Sequence, residues 1–399
     1  SGRGRPLARD RRRFDELHAE RRSLYEAVAD GFVPPGGREL VHRALPALVA
    51  LRDAERPAGL RLVWATSASG DYPVYLASGL LASGFFQPDG HRRFVVTDEG
   101  VTGAQPALAE ALADFGRVAI PAGESQKTLA RVDSVLSEMA RAGVERDDLL
   151  VALGGGVVGD LAGFCAAIYQ RGMPYVQVPT TVVAQVDSAY GGKTGVDLPE
   201  GKNYAGAYHQ PAAVLVDPRV LDTLPREEAS AGYAEVVKTA LIAGGDLWAR
   251  VRAGEPPDEG VILRCLRTKL AVVSEDERDE SRRQVLNLGH TVGHALEAAT
   301  DYRRLRHGEA VGIGLLCALR LSGRGTLREE VAELLRAAGL PVVVHGVDPD
   351  SVLALVARDK KRSGGRVPFV LVHSPGYVTP GHEVGETDLR AAVAEVLAG

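Results

Sequence analysis

Three of the ten histidines in this chain, His290, His294 and His307, fall within one short stretch. His290 and His294 are four positions apart, so a helix would carry both on one face. Neutral imidazole and carboxylate groups suit Zn²⁺, and Glu235 and Lys238 share a face of another predicted helix. The pattern predicts a divalent-metal site. The alternatives are helix-capping and core histidines, and an ordinary surface ion pair for Glu235 and Lys238.

A glycine-rich turn is the second candidate site. The apolar run 149–153 predicts a buried strand, three glycines follow at 154–156, and a second apolar run at 175–178 leads to two threonines. Strand, glycine turn, helix and strand form a βαβ unit, whose ligands bind at the carboxyl ends of the strands. Glycine lets backbone N–H groups approach a pyrophosphate, so the turn predicts a dinucleotide site. The residues after 181 are predicted to form a polar loop.

Basic residues gather in glycine-rich and helix-terminal contexts, although the net charge of the chain is −5. They are Lys193, Lys202, Lys238, Lys269, Arg283, Lys360 and Lys361. Together they favour a substrate with several negative charges, whereas each alone is typical of a solvated surface residue. The acidic balance gives no reason to expect nucleic acid or a membrane as partner. The motif GGKTG at 191–195 is not an ATP phosphate loop, because Asp187 stands where that loop needs glycine.

Strand and helix patterns alternate from 61 to 217, which predicts a doubly wound, mostly parallel, Rossmann-like sheet. Within it, strands at 61–64 and 72–75 with a polar turn between them predict a hairpin. After residue 218 helical periodicity dominates, with one late strand at 367–372. The predicted fold class is α/β, an N-terminal Rossmann-like domain followed by a mainly α-helical domain, with boundaries at 1–58, 59–218 and 219–399.

Cysteine spacing and the lack of targeting signals indicate a cytoplasmic protein. Cys165, Cys265 and Cys317 are far apart and form no CxxC pair, which favours buried thiols in a reducing compartment. No apolar run reaches the length of a membrane span, and no signal peptide opens the chain. Because the first residue is Ser1 and not methionine, we expect the natural N-terminus to lie upstream.

Residues 1–58 differ in composition from the rest of the chain. They are rich in arginine, and apolar residues at helical spacing predict an amphipathic helix at 14–29. One interpretation is a solvated basic extension. The other is a resemblance, because RPLARDRRRFDELHAERRSLYEAVAD is similar to the C-terminal lid and last helix of shikimate kinases. Since no GxxxxGK[ST] motif occurs in the chain, this resemblance implies a kinase tail without an ATP site, fused to a second enzyme.

A series of motifs then runs toward the C-terminus in the order GGGVVGDLAGF, VPTTVVAQVDSAYGGKTGVDLPEGKN, GYAEVVK, RQVLNLGHTVGHALE, HGEAVGIG and DKKRSGGRVPFVLV. Together they resemble the successive signatures of the 3-dehydroquinate synthase family of sugar-phosphate cyclases. The resemblance implies an enzyme that uses NAD⁺ and one divalent metal, Zn²⁺ or Co²⁺. It would convert 3-deoxy-D-arabino-heptulosonate 7-phosphate into 3-dehydroquinate and phosphate, by transient oxidation, phosphate elimination, reduction and aldol closure.

The resemblance also implies roles for individual residues. The implied metal ligands are Glu235, His290 and His307. The implied NAD⁺-binding residues are Asp98, Glu124, Lys127, Gly155, Gly156, Asp160, Thr180, Thr181 and Lys202. The implied substrate-binding and catalytic residues are Asp187, Lys193, Asn203, Lys238, Lys269, Arg283, Asn287, His294, Lys360 and Lys361. Arg171 matches an arginine that reaches the phosphate site of a neighbouring subunit, which implies a homodimer.

Two positions depart from the family pattern, and sibling enzymes remain as alternatives. Tyr190 stands where valine is common and is expected to alter the shape of the pocket. Asp197 stands where asparagine is common, in a predicted loop, where we expect no consequence. Arg283 favours a substrate with a carboxylate, because an unpaired buried guanidinium is costly. Aminodehydroquinate synthase would need the same pocket and stays open, whereas a non-catalytic scaffold would have lost metal or NAD⁺ positions, and the sequence keeps them.

Overall fold

An eight-stranded sheet forms the frame of the first half of the molecule. The computed structural model describes residues 10–52, 56–362 and 368–398. The strands are β1 (Gly31–Phe32), β2 (Arg61–Ala65), β3 (Tyr72–Leu76), β4 (Arg93–Asp98), β5 (Gly116–Ile120), β6 (Leu149–Gly154), β7 (Tyr175–Pro179), β8 (Lys193–Leu198), β9 (Gly201–Tyr208), β10 (Ala213–Val216), β11 (Val344–His345), β12 (Phe369–Ser374), β13 (Tyr377–His382) and β14 (Leu397–Ala398). The sheet order is β1-β2-β3-β10-β7-β6-β4-β5, and every pair except the hairpin β2–β3 is parallel. The predicted mostly parallel α/β sheet and its hairpin are confirmed.

Helices cover the sheet and make up most of the second half. They are α1 (Arg11–Val28), α2 (Arg38–Ala50), α3 (Glu99–Ala104), α4 (Pro106–Leu112), α5 (Leu129–Arg141), α6 (Gly156–Ile168), α7 (Arg226–Ala243), α8 (Gly245–Arg252), α9 (Glu259–Glu275), α10 (His290–Ala299), α11 (His307–Leu321), α12 (Gly325–Ala337), α13 (Pro349–Arg362) and α14 (Glu386–Val396). Within the described ranges, none of them has the length and apolarity needed to cross a bilayer.

The central strand β6 shows why the sheet takes helices on both faces. Leu149, Val151 and Leu153 pack into one hydrophobic cluster, while Leu150 and Ala152 pack into another. Successive side chains of a strand point to opposite faces, so a strand that is apolar throughout requires two covering layers. Helices α2 and α4 contribute to the first cluster, and α5 and α6 contribute to the second.

The helical half and the sheet share one further hydrophobic cluster. Tyr72 and Val74 of β3 and Val214 of β10 belong to the same cluster as Val237 of α7 and Leu266 of α9. Because these side chains pack in one cluster, α7 and α9 are held against the sheet.

The N-terminal residues and the late strand complete the fold. β1 pairs with β2 in parallel register, and Leu40 and Ala44 of α2 pack under the sheet. The sheet therefore takes up residues from before position 59, and the boundaries predicted at 58 and 218 stay predictions. The predicted helix at 14–29 corresponds to α1. β12 forms an antiparallel hairpin with β13, whereas Val367, which the sequence predicted as its first residue, lies outside the described residues.

Candidate active site

A cleft of about 1360 Å³ opens between the carboxyl ends of the strands and the helical half. Of the predicted site residues whose side chains the structure describes, all but Arg171 line it. The dinucleotide, metal and substrate residues that the sequence scatters over more than 200 positions thus meet in one cavity. This is the location expected of a ligand site in an open α/β sheet.

Glu235, His290 and His307 converge at one end of the cleft. Glu235 lies within α7, and the two histidines are the first residues of α10 and α11. The Oε1 atom of Glu235 is 3.6 Å from His290 Nε2 and 3.5 Å from His307 Nε2. Helix α11 approaches α7 this closely because Gly308 has no side chain, and a Cβ there would overlap the carbonyl of Ala231.

The spacing of these three groups fits a divalent metal. Two ligands about 2.1 Å from Zn²⁺ at a tetrahedral angle lie about 3.4 Å apart, close to the distances found here. Glu235 is 1% exposed, and its Oε1 has no hydrogen-bond partner among the described residues. A buried carboxylate oxygen without a donor is costly, so the site has the chemistry that a bound cation completes.

The third histidine lies beside this pair. The ligand atoms of His290, His294 and His307 fall within 4.8 Å of one another, so the predicted gathering of the three imidazoles is confirmed. Burial, with the neighbouring Lys238 ammonium, lowers the pKa of His290 well below its usual value, and burial beside His307 lowers that of His294 to about 4. Both rings are therefore neutral at pH 7, the form that binds metals.

A chain of alternating charges runs from Glu235 into the cleft. Lys238 Nζ lies 2.5 Å from Glu235 Oε2 and 2.6 Å from Asp187 Oδ2, and Lys269 contacts the other oxygen of Asp187. Lys238 is 1% exposed. Burial and the Arg283 guanidinium lower the pKa of Lys269 to about 7. Buried charges keep their ionised forms only when each has a partner, so this array depends on every member.

Tyr190 lines the cleft, and its effect on the shape of the pocket stays a prediction. Only 1% of the residue is exposed, and its hydroxyl donates to the carbonyl of Gln185 at 2.7 Å. That carbonyl lies in the helical turn Ala184–Ser188, which carries Asp187. The polar loop predicted here is wrong, because the turn is followed by the antiparallel strands β8 and β9. Tyr190 thus stabilises the turn Ala184–Ser188 through a buried hydrogen bond.

The glycine turn lines the same cleft. Gly155 caps α6, so the unpaired N–H groups of its first turn face the cavity, as an anionic diphosphate requires. A Cβ at Gly155 would lie 2.8 Å from Thr181 Cγ2, so only glycine leaves this approach open. Asp98 is the last residue of β4 and accepts a hydrogen bond from Val101 N–H, which makes it the cap of α3.

Lys127 connects the cofactor residues with Asn203. It is 4% exposed, and its Nζ lies 2.5 Å from Asp160 Oδ2 and 2.6 Å from Asn203 Oδ1. Asn203 has a φ of 57°, and its N–H donates to Asp197 Oδ1 at 2.8 Å. Asp197 is part of strand β8 and not of a loop, so the expectation that it has no consequence is wrong in one respect: it holds Asn203 in a left-handed conformation.

Glu297 is a site residue that the sequence analysis missed. It lies on α10 with its side chain 3% exposed, and it contacts His307 Nδ1 at 3.2 Å and Lys202 Nζ at 3.0 Å. Lys202 also contacts Glu124 at 3.1 Å. The sequence did carry a signal for Glu297, because it follows His290 by seven positions and therefore lies on the same face of the helix.

Arg283 occupies the floor of the cleft near Lys269. The residue is 2% exposed, and its guanidinium donates to the carbonyls of Glu277 at 2.5 Å and Gly191 at 3.3 Å. Asp276 fixes the loop before it by accepting from the N–H groups of Glu280, Ser281 and Arg283. Burial alone would raise the pKa of Asp276, but these three donors lower it to about 2.

Replacing Asp276 by asparagine should destabilise the protein by about 1–3 kcal/mol at neutral pH. The NH₂ group of asparagine would replace one carboxylate oxygen and would face backbone N–H groups, which are also donors. A carboxylate with a lowered pKa stabilises the fold above its unfolded pKa and loses that effect as the pH falls through its folded pKa. The stability difference between wild type and D276N should therefore be constant above about pH 5 and shrink between about pH 4 and pH 2. Urea unfolding at several pH values measures it.

Glu275→Gln supplies the matched control. The Glu275 side chain is 64% exposed, and its ion pair with Arg282 is long at 3.8 Å. Its stability difference from wild type should stay small over the same range. A D276N difference that does not change down to pH 2 would contradict the role given to Asp276.

Three predicted residues lie apart from the cleft or outside the described side chains. Arg171 follows α6, a helix of 13 residues, and α6 begins at the cleft and is about 20 Å long. Arg171 is thus at the far edge of the sheet, with a φ of 71°. Lys360 and Lys361 belong to the last turn of α13, and their side chains are not among those described.

Comparisons with known proteins show the family of the chain. A family model described as "3-dehydroquinate synthase N-terminal" matches residues 117–231, and one described as "3-dehydroquinate synthase C-terminal" matches residues 232–362. The chain is 42% identical over 344 residues to a 3-dehydroquinate synthase of Symbiobacterium thermophilum, which covers 80% of this chain and 96% of that protein.

Two solved structures have similar folds. One is 2-deoxy-scyllo-inosose synthase complexed with carbaglucose-6-phosphate, NAD⁺ and Co²⁺, with a TM-score of 0.74 and 27% identity over 84% of this chain and 100% of that one. The other is the 2-epi-5-epi-valiolone synthase of Streptomyces hygroscopicus with NAD⁺ and Zn²⁺ bound. Its TM-score is 0.74, with 28% identity over 82% of this chain and 96% of that one.

Proposed function

Because the chain belongs to the 3-dehydroquinate synthase family, we propose that its cleft converts 3-deoxy-D-arabino-heptulosonate 7-phosphate into 3-dehydroquinate and phosphate with NAD⁺ and one divalent metal. The chain is an enzyme of that family, which makes it a phosphorus–oxygen lyase. The observation that carries the proposal is the spacing of Glu235, His290 and His307, which suits a metal and lies in the same cavity as the glycine turn.

Glu235, His290 and His307 would hold the metal, either Zn²⁺ or Co²⁺. A bound metal acts as a Lewis acid that lowers the pKa of substrate hydroxyls and orients them. The array of Lys238, Asp187 and Lys269 reaches from Glu235 into the substrate space, and Lys238 balances the charge of Glu235. His294 is neutral and open to the cleft, so it is placed to contact substrate hydroxyls.

The glycine turn would hold NAD⁺, which when bound supplies reversible hydride transfer. The N–H groups at the start of α6, with Thr180 and Thr181, would bind its diphosphate. The other cofactor residues form the same wall of the cleft, and they are Asp98, Glu124, Lys127, Gly155, Gly156, Asp160 and Lys202.

Two groups of residues would hold the anionic ends of the substrate. Lys193, Asn203 and Asn287, with a lysine of the pair 360–361, would bind the phosphate, which itself takes the proton during elimination. Arg283 and Lys269 would hold the carboxylate. The burial of Arg283 supports this, since its guanidinium donates to carbonyl groups and forms no direct ion pair with a described carboxylate.

Assembly and context follow as further parts of the proposal. Arg171 would reach the phosphate site of a second copy, in a homodimer, since it lies too far from its own cleft.

Residues 1–58 would be the tail of a fused shikimate kinase, a proposal supported by their motif alone. The proposed domains are 1–58, 59–218 and 219–399. A cytoplasmic location suits Cys165, Cys265 and Cys317, which are buried and free.

A phosphate-release assay with NAD⁺ and Co²⁺ tests the function. The heptulosonate phosphate should release phosphate without accumulation of NADH, because the hydride is returned. Sedoheptulose 7-phosphate and glucose 6-phosphate, which lack the carboxylate, should be poor substrates. Stoichiometric NADH, or no phosphate release with metal and NAD⁺ present, would overturn the proposal.

A further inference from the structure

Glu297 stands between the two halves of the cleft. Its two carboxylate oxygens have different partners. Oε2 accepts from His307 Nδ1 at 3.2 Å, and Oε1 accepts from Lys202 Nζ at 3.0 Å. The side chain is 3% exposed, so water does not replace either donor. One residue thus contacts both a metal-ligand candidate and a cofactor candidate.

The contact with His307 determines which ring nitrogen is available to a metal. A carboxylate paired with a lysine is ionised and only accepts hydrogen bonds, so the proton must be on Nδ1. Nε2, which faces Glu235 Oε1 at 3.5 Å, is then the nitrogen that a metal can take. Acceptors behind a ligating histidine fix its tautomer and ring orientation in this way.

The contact with Lys202 fixes a cation on the cofactor side. Lys202 lies between Glu297 and Glu124, at 3.0 and 3.1 Å, and its ammonium is 4.7 Å from the centre of the Tyr302 ring. Only Glu297 among these neighbours also contacts a metal-ligand candidate. Among the described residues, Glu124 forms no hydrogen bond with His307, so only Glu297 joins Lys202 to that histidine directly.

We propose that Glu297 is a shared positioning residue, which presents His307 to the metal and Lys202 to the cofactor. Both of its neighbours are donors, so the position requires two acceptor oxygens. Glutamine offers one acceptor and turns its NH₂ group against the other donor. The inference rests on the proposed metal and NAD⁺ sites and adds to them a residue that touches neither ligand.

Two binding measurements on Glu297→Gln test the inference. Titration with Co²⁺, followed by its visible absorption, should show a metal affinity lower by about tenfold or more. Calorimetric titration of the metal-free protein with NAD⁺ should show a weaker cofactor affinity as well. Because no metal is present in the second experiment, a loss there is not a consequence of the first.

Glu124→Gln is the matched control. It removes the other carboxylate from Lys202 and leaves the hydrogen bond between His307 and Glu297 in place. It should therefore weaken NAD⁺ binding and leave Co²⁺ affinity unchanged, whereas E297Q should weaken both. A role for Glu297 in folding alone would lower the melting temperature without this difference between the two variants.

Each outcome is informative. If wild type binds Co²⁺ and NAD⁺ and E297Q binds either with wild-type affinity, the inference is overturned and the proposed function stands. If wild type binds neither, the proposed function fails first. Should E297Q not fold, Glu297→Asp keeps two acceptor oxygens on a shorter side chain. It should lose part of both affinities, and wild-type values in E297D would overturn the inference.

Discussion

Replacing His290 by alanine should abolish turnover and leave the fold intact. The imidazole supplies one of the groups that converge on the metal position, 3.6 Å from Glu235 Oε1. Lewis-acid assistance contributes several kcal/mol, and about 4 kcal/mol corresponds to about 10³-fold in rate. Phosphate release by H290A should therefore fall below about a thousandth of wild type, and the Co²⁺ absorption titration should show no tight binding.

The fold should survive because His290 makes few other contacts. Its Nδ1 lies 3.2 Å from the carbonyl of Leu288, and its neutral ring balances no charge in the metal-free protein. The circular dichroism spectrum and the melting temperature should stay close to those of the metal-free wild type. His42→Ala, at an exposed position of α2, controls for loss of an imidazole and should keep full activity. Wild-type turnover in H290A would refute the metal assignment.

Replacing Gly308 by alanine should cost about 3 kcal/mol or more of stability, as overpacking at a rigid contact does. The added methyl group would overlap the backbone of Ala231 from its carbonyl to its Cα, and backbone cannot rotate away as a side chain can. The two helices must separate to admit it. His307 precedes Gly308, and Glu235 follows Ala231 by one turn, so the same separation should weaken Co²⁺ binding.

Gly325→Ala is the matched control for this change. Gly325 begins α12, and a Cβ there has no heavy atom within 4 Å. Its stability should be unchanged or slightly higher, because alanine favours the helix over glycine. Chemical unfolding of both variants gives the comparison. Equal midpoints for G308A and G325A would show that the contact between α7 and α11 is looser than the structure indicates.

The fold was predictable because its strands are apolar throughout and alternate with helices. Leu149 to Leu153 could be assigned to a buried strand from composition alone. The ribbon of β8 and β9 was not, since its glycines and charged residues are typical of loops. Asp197 was misplaced for that reason. Its hydrogen bond to Asn203 depends on a strand pairing that no local pattern predicts.

The site was predictable only in part from residue spacing. His290 and His294 share a helical face, so their proximity follows from periodicity. Glu235 lies on a different helix, and only the family resemblance related it to them. Glu297 was missed because an acid in the last turns of a helix is usually a surface residue. Burial, which depends on how α10 packs against α11, is what makes it part of the site.

The hydrophobic cluster shared by the sheet and the helical half has a consequence for how the protein comes apart. Tyr72 and Val214 on one side and Val237 on the other are buried in one cluster, so separating the two halves would expose apolar side chains of both. The change from alternating strands and helices to mostly helices after residue 218 therefore falls between elements that share a core. Unfolding should be cooperative across that point, and a nucleotide bound to the strands would protect the distant helices from proteases.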